Sequence, residues 1–313
     1  MIKNFKIFAA IFFLIFSVAF PNFVNAKEQI NVDVADEQTE ISVAEIEKYF
    51  KTLPQKNKYK SSQRPLMIQG AMNVEIENLV KSLKNPVAYR FSNYFYVAGT
   101  YKNYPVVIAR TEQGMANAAA STVIGIEKFN PVAVINQGTA GGHVADLYLN
   151  DIVIGSKSID SAAYKTEFSP AGAGVDFTAQ EMRGVYAYDV TTNFFQPHKE
   201  FFADSKLLKV AKKAADSHSE FAVAVGTISS SNIWNSNVDY INFLNKKYGS
   251  LCEEMENNAA ASICQSASIP FIGIRVISNN VTNGSPWDES TAATCQNFVL
   301  LVAENYIADV LKK

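Results

Sequence analysis

Apolar positions along this chain fall into short runs separated by stretches with helical spacing. Ile7 to Phe20 is almost wholly apolar and follows the basic pair Lys3 and Lys6. Beyond it, Lys27 to Arg64 is polar, with one amphipathic stretch at Val43 to Leu53 that reads as a lead-in or a docked helix. From Pro65 the pattern becomes regular. Leu66 to Gly70 reads as a strand and Val74 to Leu83 as a helix. Phe95 to Thr100 and Val106 to Ala109 read as a strand pair turning at Lys102 to Pro105. Met115 to Phe129 is Ala-rich and helical, and Pro131 blocks its extension. Val132 to Asn136, Ile152 to Ile154, Val223 to Ser229 and Phe271 to Ile277 are strand candidates. Asp239 to Lys247, Glu256 to Ser266 and Ala303 to Leu311 are helix candidates. Such alternation predicts an α/β sandwich around a central sheet, part of it antiparallel. Ser158 to Pro197 is the least regular stretch and reads as long loops over one end of the sheet, where sites tend to lie.

The amino terminus carries its own message. A basic head, an apolar run too short to span a bilayer, and Val24-Asn25-Ala26 with small residues at the peptidase positions form a secretory signal pattern. The expectation is a signal peptide at 1–26, a polar extension at 27–64 and a catalytic-type domain at 65–313. The mature protein is then exported, to the periplasm or beyond, with no stable membrane insertion after cleavage. Losing Lys3 and Lys6 leaves 26 basic and 30 acidic residues, a net charge of −4. No basic stripe calls for nucleic acid. Cys252, Cys264 and Cys295 are an odd number in a compartment that permits disulfides, so at least one is unpaired or bound to a second chain. Three buried thiols are an equal reading. No Cys–His spacing suggests a metal, and no cofactor is called for.

Candidate chemistry lies in four places. Gln137-Gly138-Thr139-Ala140-Gly141-Gly142 follows a strand and allows close backbone approach, although it is neither GxGxxG nor a P-loop. Locally it reads as a turn closing the strand. Glu75 and Glu77 follow Gly70-Ala71-Met72 and open a helix. Glu253-Glu254-Met255-Glu256 reads as another solvated first turn. Arg275-Val276-Ile277-Ser278 ends a strand.

Together and in this order, these segments resemble the purine nucleoside phosphorylase/uridine phosphorylase superfamily. Its 5′-methylthioadenosine/S-adenosylhomocysteine nucleosidase branch is most similar, over about Leu66 to Lys313. The resemblance implies a three-layer α/β/α sandwich around a central mixed β-sheet, a homodimer, and hydrolysis of a purine nucleoside. It makes Glu75 the base that activates water. Glu256 and Met255 hold the ribose, and Gly138 and Ser278 belong to the binding walls. Trp234 falls near the place where the family stacks an aromatic on the purine, and a core tryptophan is an equal reading of it. Three departures follow. Where the branch carries an Asp that protonates the purine, this chain reads Ser278-Asn279-Asn280, and an Asn amide donates a hydrogen bond but has no proton to transfer. Asn279 is thus open to three readings: a shifted base preference, a slow hydrolase, or a nucleoside- or base-binding protein without turnover. Asn136 stands where phosphorylases place an Arg, so water is favoured over phosphate unless Arg110 compensates. The export signal is the third departure, since it directs the protein to nucleosides outside the cytoplasm.

Overall fold

The computed structural model describes residues 48–189, 192–218 and 220–312. The proposed signal peptide and most of the polar extension lie outside the described residues. At 48–52 the end of the predicted amphipathic stretch is helical. Phe50 and Leu53 are buried there, and Phe50 stacks on Phe95 at 5.7 Å.

Among the described residues, fourteen strands and six α-helices follow. The first part of the chain is β1 (Leu66–Gly70), α1 (Asn73–Lys81), β2 (Lys84–Phe91), β3 (Tyr94–Tyr101), β4 (Tyr104–Arg110), α2 (Met115–Phe129) and β5 (Ala133–Gly142). Then come β6 (Ile152–Asp160), the short strands β7 (Tyr164–Thr166), β8 (Gln180–Met182), β9 (Val185–Asp189), β10 (Phe194–His198) and β11 (Glu200–Phe202), and α3 (Ser205–Asp216). The last part is β12 (Val223–Ser230), α4 (Val238–Tyr248), β13 (Ser250–Glu254), α5 (Asn257–Ser266), β14 (Phe271–Asn279) and α6 (Thr291–Tyr306), which continues as a π-helical turn at Ile307–Leu311.

Ten strands form one mixed sheet. Its order is β11-β6-β12-β13-β5-β1-β4-β3-β2, with β14 joining β5 to β6. That extra strand closes β5, β14, β6, β12 and β13 into a ring, while β1 to β4 extend from it as an open wing. β5, β14 and β13 therefore meet at one end of the ring. β1 shows how the layers are filled. Leu66 and Ile68 pack into the cluster under α1, α3 and α6, while Met67 points to the opposite cluster with Tyr96, Phe129 and Ala260 from β3, α2 and α5. The result is the expected three-layer sandwich.

The structure departs from the sequence pattern in four ways. β2 is a strand that the pattern does not reveal, since Asn85 and Pro86 look like a loop. They sit at a register shift on the sheet's edge, where proline is tolerated. The β3–β4 turn is the pair Lys102-Asn103, both at positive φ, and Tyr104 and Pro105 belong to β4. The glycine segment is no turn, because β5 runs on through Gly142 and pairs with β13 and β14. Ser158 to Pro197 ends β6 and then forms two small two-stranded ribbons.

Candidate active site

A cleft enclosing about 690 Å³, part of it open to solvent, lies where β5, β13 and β14 end beside the first turns of α1 and α5. Glu75, Met255, Glu256, Trp234, Ser278 and Asn279 all line it. Residues far apart in the chain thus share one wall. None of the described residues of Ser158 to Pro197 reaches it.

Glu75 stands in the first turn of α1 and is buried. Its Oε2 accepts the backbone N–H groups of Ala71 (2.8 Å) and Met72 (3.0 Å). Its Oε1 accepts the N–H of Thr139 (2.8 Å) and the Thr139 hydroxyl (3.0 Å). Four donors fix the carboxylate in one place. Gly138 makes this possible, because a Cβ there would lie 2.6 Å from Glu75 Oε1. Gly138 itself does not line the cleft, so the expected binding role gives way to a steric one.

Glu253-Glu254-Met255-Glu256 is not a solvated helical turn. Glu253 and Glu254 end β13, Glu256 caps α5, and all three are buried. Glu254 Oε2 accepts the N–H groups of Glu256 (2.9 Å) and Asn257 (2.8 Å) and an Nη2–H of Arg275 (2.5 Å), while Oε1 accepts the Ser230 hydroxyl. Arg275 is wholly buried and also donates to the Asn136 carbonyl and side chain. Burial works against its charge, but Glu254 and then Glu256 outweigh that and hold its pKa above the ordinary value. Asn136 is thus committed to this ion pair and is absent from the cleft wall.

Glu256 Oε1 accepts the N–H of Gly114 (2.7 Å), at the start of α2. Gly114 has φ +95°, a conformation that favours glycine. Burial, followed by the charges of Glu254 and Glu75, pushes the Glu256 carboxyl up to about 8. This shift favours the protonated carboxyl, which can both donate to and accept from a sugar hydroxyl.

The far end of the cleft holds Asn279 and Trp234. Asn279 Oδ1 accepts the Ser278 hydroxyl at 3.2 Å, which leaves the amide as a donor. Asn280 is the structural member of the pair: it is buried and donates to Val144 O and Leu147 O. Trp234 is 67% exposed at the rim, not a core residue. Thr139 and Glu253, from two of the candidate segments, also line the cleft, as do Trp287, Gln113, Ile233 and Asn235, which lie outside them. The only sequence signal at Trp287 is a bulky aromatic in a polar stretch.

Arg110 does not supply an anion site. It is buried, donates to Glu112 and Asn73, and lies over the Phe95 ring. Among the described residues the cleft lining holds four glutamates and no lysine or arginine. All three cysteines are free and buried, and burial pushes Cys295 up to about 12. Among the described residues no cluster of His, Cys, Asp or Glu is arranged to hold a metal ion, and no helix is long and apolar enough to cross a membrane.

This chain belongs to the phosphorylase superfamily, whose family model matches residues 65–308. Among its relatives, the 5′-methylthioadenosine/S-adenosylhomocysteine nucleosidase of Shewanella pealeana is 31% identical over 222 residues, covering 71% of this chain and 88% of the relative. The crystal structure of the Neisseria meningitidis nucleosidase of the same name, in complex with methylthio-immucillin-A, superposes with a TM-score of 0.64. It is 26% identical and covers 77% of this chain and 99% of its own. A futalosine hydrolase mutant of Helicobacter pylori shares the fold, with a TM-score of 0.63, 20% identity, and coverage of 77% of this chain and 99% of its own.

Proposed function

We propose that this protein hydrolyses the N-glycosidic bond of a purine nucleoside resembling methylthioadenosine, adenosine or inosine. The observation that carries the reading is the convergence of Glu75 and Glu256 on one cleft that ends in Asn279 and an exposed Trp234. The named nucleosidase relatives support the same reaction class.

Each group has work suited to its geometry. Cleaving C1′–N9 builds positive charge on the sugar, and the Glu75 carboxylate beside the ring stabilises it. Glu75 takes a proton from the attacking water. Its four hydrogen-bond sites are filled, and the Thr139 hydroxyl is the partner that can rotate away to admit that water. A positioned base contributes about 10²–10⁴ in rate. Glu256 grips the ribose hydroxyls and Met255 packs on the sugar. Trp234 stacks on the purine, and Asn279 donates a hydrogen bond to it. Water is the nucleophile of choice, since no cationic side chain among the described residues lines the cleft for phosphate.

Incubation with inosine, adenosine and methylthioadenosine, with and without phosphate, tests this. Free base and sugar in phosphate-free buffer are expected. Base release only with phosphate makes the protein a phosphorylase, and no base in any mixture overturns the enzyme reading. Asn279 favours a second reading, a nucleoside-binding protein without turnover. Calorimetric binding without product would establish it.

The amino-terminal pattern supports export, and the family resemblance supports a homodimer. Sequencing of the mature terminus, expected at Lys27, and light scattering of the purified protein test these two points.

A further inference from the structure

The hydrolase reading leaves one chemical problem. A purine leaves poorly as an anion, and Asn279 has no proton to give it. The groups beside Asn279 bear on this problem. In the sheet, Gly141 of β5 is in register with Glu253 of β13 on one side and with Asn279 of β14 on the other. Residues paired in this way project to the same face. Gly141 has no side chain of its own, so its neighbours converge above it. A Cβ at that position would lie 3.4 Å from Asn279 Nδ2 and 3.8 Å from Glu253 Cγ. Glu253 and Asn279 therefore address the same end of the cleft.

Behind Glu253 stands His143, just past the end of β5. Its side chain is wholly buried, and its Nε2 lies 3.2 Å from Glu253 Oε2. Neither ring nitrogen makes a hydrogen bond among the described residues, so the approach of Nε2 to Glu253 is a close polar contact and its only one. Asn235 Nδ2 also reaches Glu253 Oε2, at 3.4 Å, and Oε1 takes no hydrogen bond among the described residues. A buried imidazole without other partners is costly, and here it is aimed at a carboxylate on the cleft wall. Nothing assigned so far uses this pair.

We propose that Glu253, held and supplied by His143, is the catalytic acid that protonates the departing purine. The step requires one proton to be shared across the close contact of Glu253 Oε2 with His143 Nε2. As C1′–N9 breaks, its electron pair moves onto the base, and the proton passes through Glu253 to purine N7. The base leaves neutral. Water adds its oxygen to C1′ and gives a proton to Glu75; solvent later takes that proton from Glu75 and returns one to the pair. Asn279 then orients the base rather than protonating it. The other ionisable groups around this point include Glu75, Glu254, Glu256, Arg275, Tyr240 and Cys252, whose thiol is pushed up by burial first and by Glu254 and Glu253 among smaller causes. The Tyr240 pKa is raised by burial first and by Glu253 among smaller causes.

This inference rests on the hydrolase reading, and the experiment separates the two. Purine-nucleoside turnover is measured for the wild type, Glu253→Gln, His143→Gln and the double variant Glu253→Gln/Asn279→Asp, each checked for folding by its melting curve. Glu253→Gln is expected to lose about 10²-fold in kcat, with KM changed less than threefold. His143→Gln, which keeps a donor but does not titrate, loses at least tenfold and flattens the alkaline limb of the pH profile. Asn279→Asp puts a carboxyl across Gly141 and restores at least tenfold to the Glu253→Gln protein. An active wild type whose Glu253→Gln variant keeps kcat within threefold, or gains nothing from Asn279→Asp, overturns the inference alone. A wild type that releases no base overturns the hydrolase reading and this one with it.

Discussion

Thr139 donates to Glu75 Oε1 twice, from its backbone at 2.8 Å and its hydroxyl at 3.0 Å, although 64 positions separate the two residues. The contact joins the glycine segment of β5 to the first turn of α1. It gives the Gly138-Thr139 pair a purpose that the sequence alone does not disclose: Gly138 leaves room for the carboxylate, and Thr139 holds it.

Gly138→Ala should therefore injure the site more than the core. The added methyl meets Glu75 Oε1 at 2.6 Å and Cδ at 2.9 Å, so the carboxylate must move. Overpacking of this kind costs about 1–3 kcal/mol. The expected outcome is a modest fall in melting temperature with a loss of about 10²-fold in kcat, measured by base release from the substrate found active.

The buried pair Arg275–Glu254 gives a prediction about stability. Removing one partner leaves the other charge uncompensated in the interior, at a cost of about 3–5 kcal/mol. Arg275→Met should approach that figure in urea unfolding. Arg275→Met/Glu254→Leu should recover part of it, because no lone charge remains. Recovery will be incomplete, since Glu254 also accepts the N–H groups of Glu256 and Asn257 that shape the start of α5.

These arrangements mark how far the sequence could be read. Met115 to Phe129 has an uninterrupted helical pattern bounded by Gly114 and Pro131, and its helix has those ends. The strand cores of β1, β5 and β14 are legible because both their faces are buried. The acids at 253–256 are opaque in the sequence, since a glutamate run before a helix is ordinarily solvated. What reverses that is distant: Arg275 for Glu254, His143 for Glu253, Gly114 for Glu256. Trp234 likewise could not be told from a core tryptophan, because its exposure depends on where the segment after β12 leads the chain.

Trp234→Ala should separate binding from folding. The ring is 67% exposed, so its loss should alter unfolding free energy by no more than about 0.5 kcal/mol. If it stacks on the base, losing an aromatic contact worth about 0.5–1.5 kcal/mol raises KM by a few-fold to about tenfold, with kcat little changed. Steady-state kinetics and a thermal melt on the same preparation check both halves.

Glu256 makes stability depend on pH with a definite sign. Its ordinary value is 4.5 and the folded value is pushed up to about 8 by burial, then by Glu254 and Glu75. Between those values the folded protein keeps a proton that the unfolded chain has released. Stability therefore falls as pH rises through this window, whereas below it the two states hold the same proton and nothing is lost. Each unit of pH within the window is worth up to about 1.4 kcal/mol. Glu256→Gln has no such proton to lose. Comparing chemical unfolding at pH 5 and pH 8, the wild type should lose about 3 to 4 kcal/mol more than the variant on going to the higher pH. Equal slopes for the two proteins would mean that Glu256 ionises in the folded state as freely as in water. The carboxyl would then meet the ribose as a charge and not as a hydrogen-bond donor.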